Sequence, residues 1–257
     1  MTDDKLKKMY KTVCEAPSGN GFRVEHMPDF FETSNIDDCQ PHVHSFFEIL
    51  WFKEGHGFHM VDFVKYEVKP NTVFFLTPGQ VHHFDVKEGY KGVAIKMCTD
   101  FMKDGSDTDS LLIKYNTFYN VDSVPYYYLD ENTSKELSYV VSEMDKESWR
   151  NKEFGNIDVL KSWLRIFLVN ILRNGSQSSK EQTEMLKPSY SLFLKFRKMV
   201  EQNFRTLHTV QEYADKLNVA VRTLNKCVND CLNESPLAYI NDRIMLEAKR
   251  LVRYTDM

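Results

Sequence analysis

Between about residues 22 and 97 the chain alternates short apolar runs with turn-forming residues. The runs are FFEILWF, FHMVDFV, YEV, TVFFL, HHFDV and GVAIKM, separated by turn formers at 53–57, 70–71, 78–79 and 88–89. Runs of this length, rich in β-branched and aromatic residues, predict strands, and several at regular spacing predict a β-sandwich or small barrel. Alternation along the runs assigns Phe46, Phe47, Trp51, Phe52, Phe58 and Phe63 mainly to the core. It leaves His56 and His59, in or beside a turn, on the surface.

After about Asp100 the pattern turns helical. A short helix is predicted at 107–116, a last strand at 124–129, and longer helices at 132–149 and 154–173, the latter stopped by Asn174-Gly175. In the second long helix Leu160, Trp163, Leu164, Phe167 and Ile171 form an apolar stripe, widened by Ile166 and Leu168. Burial against the strands and self-association both account for it. The stretch GSQSSKEQTE has no periodicity and reads as a linker; helical patterning resumes at Pro188 and continues to the end. The predicted organisation is a sensing unit at 1–174, a linker at 175–187 and a helical unit at 188–257. The fold class is α+β.

Residues 209–232 read as two helices around a tight turn. Val210, Tyr213, Ala214 and Leu217 fall at i, i+3, i+4, i+7 and make one buried stripe. Asn218 suits a left-handed turn position, and Val219 can tuck beneath it. The next helix, about 220–232, buries Val221, Leu224, Cys227, Val228 and Cys231, and its other face carries Arg222, Asn225 and Lys226. Such side chains can bond base edges in the major groove, and the early residues of a second helix are the ones that enter it. A solvent-facing polar surface on an ordinary helical hairpin is the other reading of the same pattern.

Charge agrees with a division of labour. The whole chain carries a formal charge of −4, yet from Ser189 onward it has 11 Lys/Arg against 8 Asp/Glu, leaving 22 against 29 before it. A mildly basic tail on an acidic body fits a tail that approaches phosphates. The five cysteines, Cys14, Cys39, Cys98, Cys227 and Cys231, are scattered and odd in number, as expected of reduced thiols. Cys227 and Cys231 read as small core residues rather than metal ligands. There is no run long and apolar enough to span a bilayer and no apolar segment behind the charged N-terminus, so the expected location is cytoplasmic, with no membrane partner.

The segment VQEYADKLNVAVRTLNKCVNDCLNESPLAYINDRIMLEAKRLVRYTD resembles the first helix-turn-helix and linker helix of AraC-family transcription regulators over nearly 50 residues. The A-x-x-L-N-V-x-x-R-x-L-N-K core and the S-P-x-x-Y-I-x-x-R-x-x-x-x-A-K-R-L run carry the resemblance. It implies that Arg222, Asn225 and Lys226, with Thr223 beside them, contact DNA, and that Ser235 caps a linker helix begun by Pro236. Lys226-Cys227-Val228 departs from the family's usual arginine, any residue, phenylalanine; lysine keeps the charge but loses the bidentate fork. The family's second helix-turn-helix would begin just beyond Thr255-Asp256, so a C-terminally truncated reader is expected. Weak DNA binding follows, near the non-specific range of roughly 10⁻⁴ to 10⁻⁶ M.

One motif in the strand region carries chemistry of its own. In PHVHSFFEILWFKEGHG, His42, His44 and Glu48 share strand parity, and His82 follows in TPGQVHHF with His83 beside it. The arrangement H-x-H-x3-E-x6-G followed by P-G-x-x-H is similar to the two cupin motifs, whose metal-bearing members hold a divalent ion with three histidines and a glutamate. Ile36 stands in place of the usual first glycine, Thr77-Pro78-Gly79 shifts the proline, and Val86 replaces the closing asparagine. With these departures His42, His44, Glu48 and His82 are expected to line an effector pocket in a cupin-like barrel, without metal or cofactor and without catalysis. The AraC resemblance implies a small-molecule effector, such as a sugar or other metabolite, promoter DNA and a homodimer built by the middle helices. The competing reading is a metal-dependent cupin enzyme, an isomerase or dioxygenase, with the same four residues as ligands.

Overall fold

The computed structural model describes residues 13–14, 16–27, 41–84, 90–102, 117–118, 125–174 and 188–254. The helix expected at 107–116 and the linker expected at 175–187 lie outside them. The described residues form two compact units, one holding the strands and first two helices, the other the last four helices.

The first unit contains β1 (Val13–Cys14), β2 (Phe22–Met27), β3 (Val43–His44), β4 (Phe47–Glu54), β5 (Gly57–Val61), β6 (Val64–Val68), β7 (Thr72–Leu76), β8 (His82–Phe84), β9 (Lys91–Met97) and β10 (Tyr126–Tyr128). Helices α1 (Glu131–Ser148) and α2 (Asn156–Asn174) follow. A five-stranded antiparallel sheet runs β10-β7-β4-β9-β2, a three-stranded one β6-β5-β8, and β1 pairs with β3 in parallel. The class is therefore mixed α+β.

Both sheets contribute to one apolar interior, with Leu50, Phe52, Phe74, Leu76 and Ala94 from the larger and Val61, Val68 and Phe84 from the smaller. The opposite face of the larger sheet is covered too. Trp51 meets Phe167 of α2, Lys53 bonds Ser138 of α1, and His26 bonds Asp145 of α1. Coverage on both faces is why β4 is buried from Phe47 to Phe52 without alternation. Strands β4 and β9 approach so closely at Gly92 that a Cβ there would collide with the Trp51 carbonyl.

The run FHMVDFV is not one strand. It folds at Asp62 and Phe63 into the two-residue hairpin β5–β6, with Asp62 left-handed at φ 54° and Val61 paired to Val64. This turn sets a parity opposite to the expectation. Phe58 (36%) and Phe63 (38%) are exposed, whereas His59 is completely buried. The exposed Phe58 ring lies under the Lys65 ammonium at 3.5 Å. His56 is exposed as expected.

The second unit contains α3 (Pro188–Asn203), α4 (Val210–Lys216), α5 (Val221–Leu232) and α6 (Pro236–Tyr254). Thr209 and Glu212 form a reciprocal capping box at the start of α4. Asn218 is left-handed at φ 54°, and the Val219 amide returns to the Ala214 carbonyl at 3.0 Å, which turns the chain into α5. Tyr213, Ala214, Leu224, Cys227, Val228, Tyr239 and Ile240 form the core with Phe193, Phe196 and Val200, and Val210, Leu217, Val219, Val221 and Cys231 pack against it. Ser235 accepts from the Ala238 amide at 3.1 Å and so caps α6. Among the described residues no helix is long and apolar enough to cross a membrane.

Candidate functional site

Where β3, β4 and β8 meet, the interior of the first unit turns from apolar to polar. Glu48 points to the same side of β4 as Leu50 and Phe52, into the space between the sheets. The strand expected to run through His42, His44 and Glu48 is broken by a bend at Ser45 and Phe46, yet His44 and Glu48 still converge. His82 is brought in by a turn over Thr77-Pro78-Gly79-Gln80, closed by the Gln80 amide on the Thr77 carbonyl at 3.1 Å. Proline second and left-handed Gly79 (φ 79°) third suit a type II turn. Three further contacts fix its position: the Gly79 amide on the His44 carbonyl, the Gln80 side chain on Asp62, and a reciprocal backbone bridge between His42 and His82.

The Nε2 atoms of His44 and His82 each lie 3.4 Å from Glu48 Oε2. These donor atoms fall within 4.8 Å of one another, and all three residues are buried. His44 Nδ1 donates to the Phe46 carbonyl at 2.7 Å, and His82 Nδ1 to the Gln80 carbonyl at 3.3 Å, since a carbonyl can only accept. Burial pushes the Glu48 carboxyl up, but the imidazoles of His44 and His82, with Lys96 behind them, outweigh it and hold the group well below the usual range. Burial also depresses the His82 imidazole, against the opposing pull of Glu48.

Two more histidines complete the cluster. The His42 ring packs on the His82 ring at 4.3 Å, but His42 is not among the three residues whose donor atoms converge. His59, absent from the sequence motif, meets the His82 ring edge-on at 5.5 Å and Phe74 at 4.5 Å. Among the described residues neither of its ring nitrogens has a hydrogen-bond partner. Burial lowers its pKa well below the ordinary value, reinforced by His82. The only trace of it in the sequence is its two-residue spacing from Gly57 and Val61, a parity legible once the turn at Asp62 is known.

Such a set can do two things: bond a polar ligand group, or hold a cation. For a metal the donors fit. Imidazole and carboxylate suit a divalent transition ion, and each converging histidine has its other nitrogen anchored on a backbone carbonyl, the outer-shell support that metal-ligating histidines use.

In the second unit Arg222, Thr223, Asn225 and Lys226 are all exposed on α5, while Leu224, Cys227 and Val228 on its other face are buried. On α2, Leu160, Leu164, Phe167, Leu168 and Ile171 are buried, but Ile166 and Val159 are exposed. Trp163 stacks edge-on with the exposed Tyr139 of α1 at 6.2 Å.

Residues 31–153 match the family model of the AraC-like ligand binding domain. No curated protein matches the chain. Among solved structures, the AraC-like transcriptional activator CuxR is similar at 13% identity, covering 79% of this chain and 67% of its own, with a TM-score of 0.32. ToxT from Vibrio cholerae is similar at 14% identity, covering 77% of this chain and 90% of its own, with a TM-score of 0.27. Likenesses this distant leave the functional reading to the site's own geometry and to the ligand-binding-domain match over residues 31–153.

Proposed function

We propose that the chain is a ligand-responsive, sequence-specific DNA-binding regulator of transcription of the AraC type. Residues 1–174 form a cupin-like effector-sensing and dimerisation domain, 175–187 a linker, and 188–257 a helix-turn-helix with its linker helix. The observation that carries the reading is a ligand-binding-domain match in one compact unit beside a polar α5 face in another. Arg222, Asn225 and Lys226, with Thr223, read promoter DNA. The chemistry of His42, His44, Glu48 and His82 makes them the polar wall of the effector site. Switching requires that the effector favour one state of the protein over another, since equal affinity for both shifts nothing. The exposed Tyr139, Val159 and Ile166, with Trp163, form the homodimer contact.

The test is footprinting of the protein on its own upstream region against a scrambled competitor. Binding is expected to be weak, with a preference for the upstream region seen only at the roughly micromolar concentrations where a weak reader binds. Arg222→Ala is expected to weaken that preference by about 10- to 100-fold, the worth of a good base contact. Equal protection of both DNAs, or an Arg222→Ala protein that binds as wild type, sinks the reading. Ile166→Asp is expected to shift the protein to monomers in sedimentation equilibrium.

A further inference from the structure

Glu48 and its two imidazoles form a convergent donor set. The Nδ1 atoms of His44 and His82 are tied to the Phe46 and Gln80 carbonyls, which turns each Nε2 toward the same Glu48 carboxylate oxygen at 3.4 Å, in a region closed to solvent. Two imidazole nitrogens and a carboxylate oxygen converging within 4.8 Å, with the outer ring nitrogens anchored on backbone carbonyls, is the arrangement that a divalent cation takes up.

His59 is the second, independent observation. It is fully buried, both its ring nitrogens lack a hydrogen-bond partner among the described residues, and its ring meets the His82 ring edge-on. A buried imidazole with no partner is a cost that structures rarely keep without a use. The His59 ring lies 5.5 Å from the His82 ring, next to three converging protein donors, the number that leaves a tetrahedral ion one position short.

We infer that His44, Glu48 and His82 bind a divalent first-row transition-metal ion, that His59 supplies the fourth ligand, and that this ion is the effector of the sensing unit. Three imidazoles and one carboxylate select manganese, iron, cobalt, nickel or zinc over calcium and magnesium, which prefer all-oxygen shells, and over copper(I), which prefers thiolates. The binding stands on the geometry alone; the effector role rests on the regulator reading.

The test uses the full chain after dialysis against a chelator. Titration with Co²⁺, followed by its visible ligand-field absorption and by competition with Zn²⁺, is expected to saturate at one ion per chain. Loss of an outer-shell partner costs about 10- to 100-fold in metal affinity, so loss of a ligand is expected to cost roughly 100-fold or more in Glu48→Gln and His82→Ala. His59→Leu is expected to lose about 10-fold or more and to change the absorption, while His56→Ala, outside the cluster, retains wild-type binding. No saturable binding by wild type, or equal binding by wild type and Glu48→Gln, overturns the site. Should these variants fail to fold, X-ray absorption of Co²⁺ bound to wild type decides: imidazole scattering supports the site and an all-oxygen shell overturns it. The effector role is read as DNA affinity with and without Zn²⁺. A change of at least about tenfold, absent in Glu48→Gln, supports it. Metal binding that leaves DNA affinity unchanged overturns the effector role, while the Arg222→Ala comparison reports separately on the regulator.

Discussion

Each unit buries a charged cluster, and these two clusters are built in opposite ways. In the second unit Arg243 of α6 makes two bonds to Glu201 of α3, at 3.0 and 3.1 Å, and a third to Glu247. Glu247 also pairs with Arg205 and Arg250. Carboxylate and guanidinium alternate, each facing its opposite, so the network acts as a clamp between α3 and α6. In the first unit Glu48 meets two imidazoles on one carboxylate oxygen, and the His59 ring nitrogens have no hydrogen-bond partner among the described residues. A satisfied buried network is accounted for by structure. An unsatisfied one departs from the local rules, and such departures concentrate at functional sites.

The largest effect expected from this difference comes from breaking the satisfied network. Arg243→Ala strands Glu201 and removes one of the three guanidinium partners of the largely buried Glu247, and should lower the stability of the second unit by about 3–5 kcal/mol. Denaturant titration followed by near-UV signals from Tyr213 and Tyr239 measures it. A loss under about 1 kcal/mol, the worth of an exposed pair, would remove the contrast between the clusters.

The converse is a substitution in the other cluster that stabilises. In metal-free protein His59→Leu removes two unbonded ring nitrogens from the interior, and leaves the apolar neighbours Phe52, Phe74 and Phe84 in place. The metal-free chain should become more stable by about 1–3 kcal/mol, the cost of an unmet buried polar group. A destabilised metal-free variant would mean that His59 has a structural role. The same substitution should weaken metal binding, so stability and function would move in opposite directions.

How far each region was legible follows from where its pattern is written. The α4–α5 stripe, the left-handed Asn218 and the Ser235 cap depend on neighbours within a few residues, and a 3.6-residue period exposes them. His44, Glu48 and His82 were legible as chemistry, because their types and spacing form a motif. His59 was not. Its direction is set by pairing to Tyr66 and Phe84, through a turn made by Asp62 rather than by glycine, and a one-residue shift of parity exchanges it with Phe58. Strand β4 gave no help, since burial on both faces erases alternation. Phe58→Ala tests that exchange: Phe58 is about a third exposed, with the Lys65 ammonium over its ring, so its loss should cost about 1–2 kcal/mol, well under what a core phenylalanine does. A cost of about 3–5 kcal/mol, as for a core phenylalanine, would put Phe58 inside and His59 out.

The smallest effect concerns the exposed end of α4, where charge is neither buried nor stranded. Glu212 accepts from the Thr209 hydroxyl at 2.7 Å and from the backbone amides of Thr209 and His208, at 2.9 and 3.1 Å. The Thr209 hydroxyl and amide, with the His208 amide, hold its carboxyl below the ordinary glutamate value. A depressed carboxyl stabilises the folded state at pH above its unfolded value, about 4.3, and that contribution fades as pH falls through the folded value. Stability of the second unit should therefore show an acid-side decline that Glu212→Gln flattens, since glutamine can still accept from the amides but does not titrate. The measurement is the unfolding midpoint between about pH 6 and 3, compared for the two proteins. Parallel curves would show that the capping box contributes geometry and no charge.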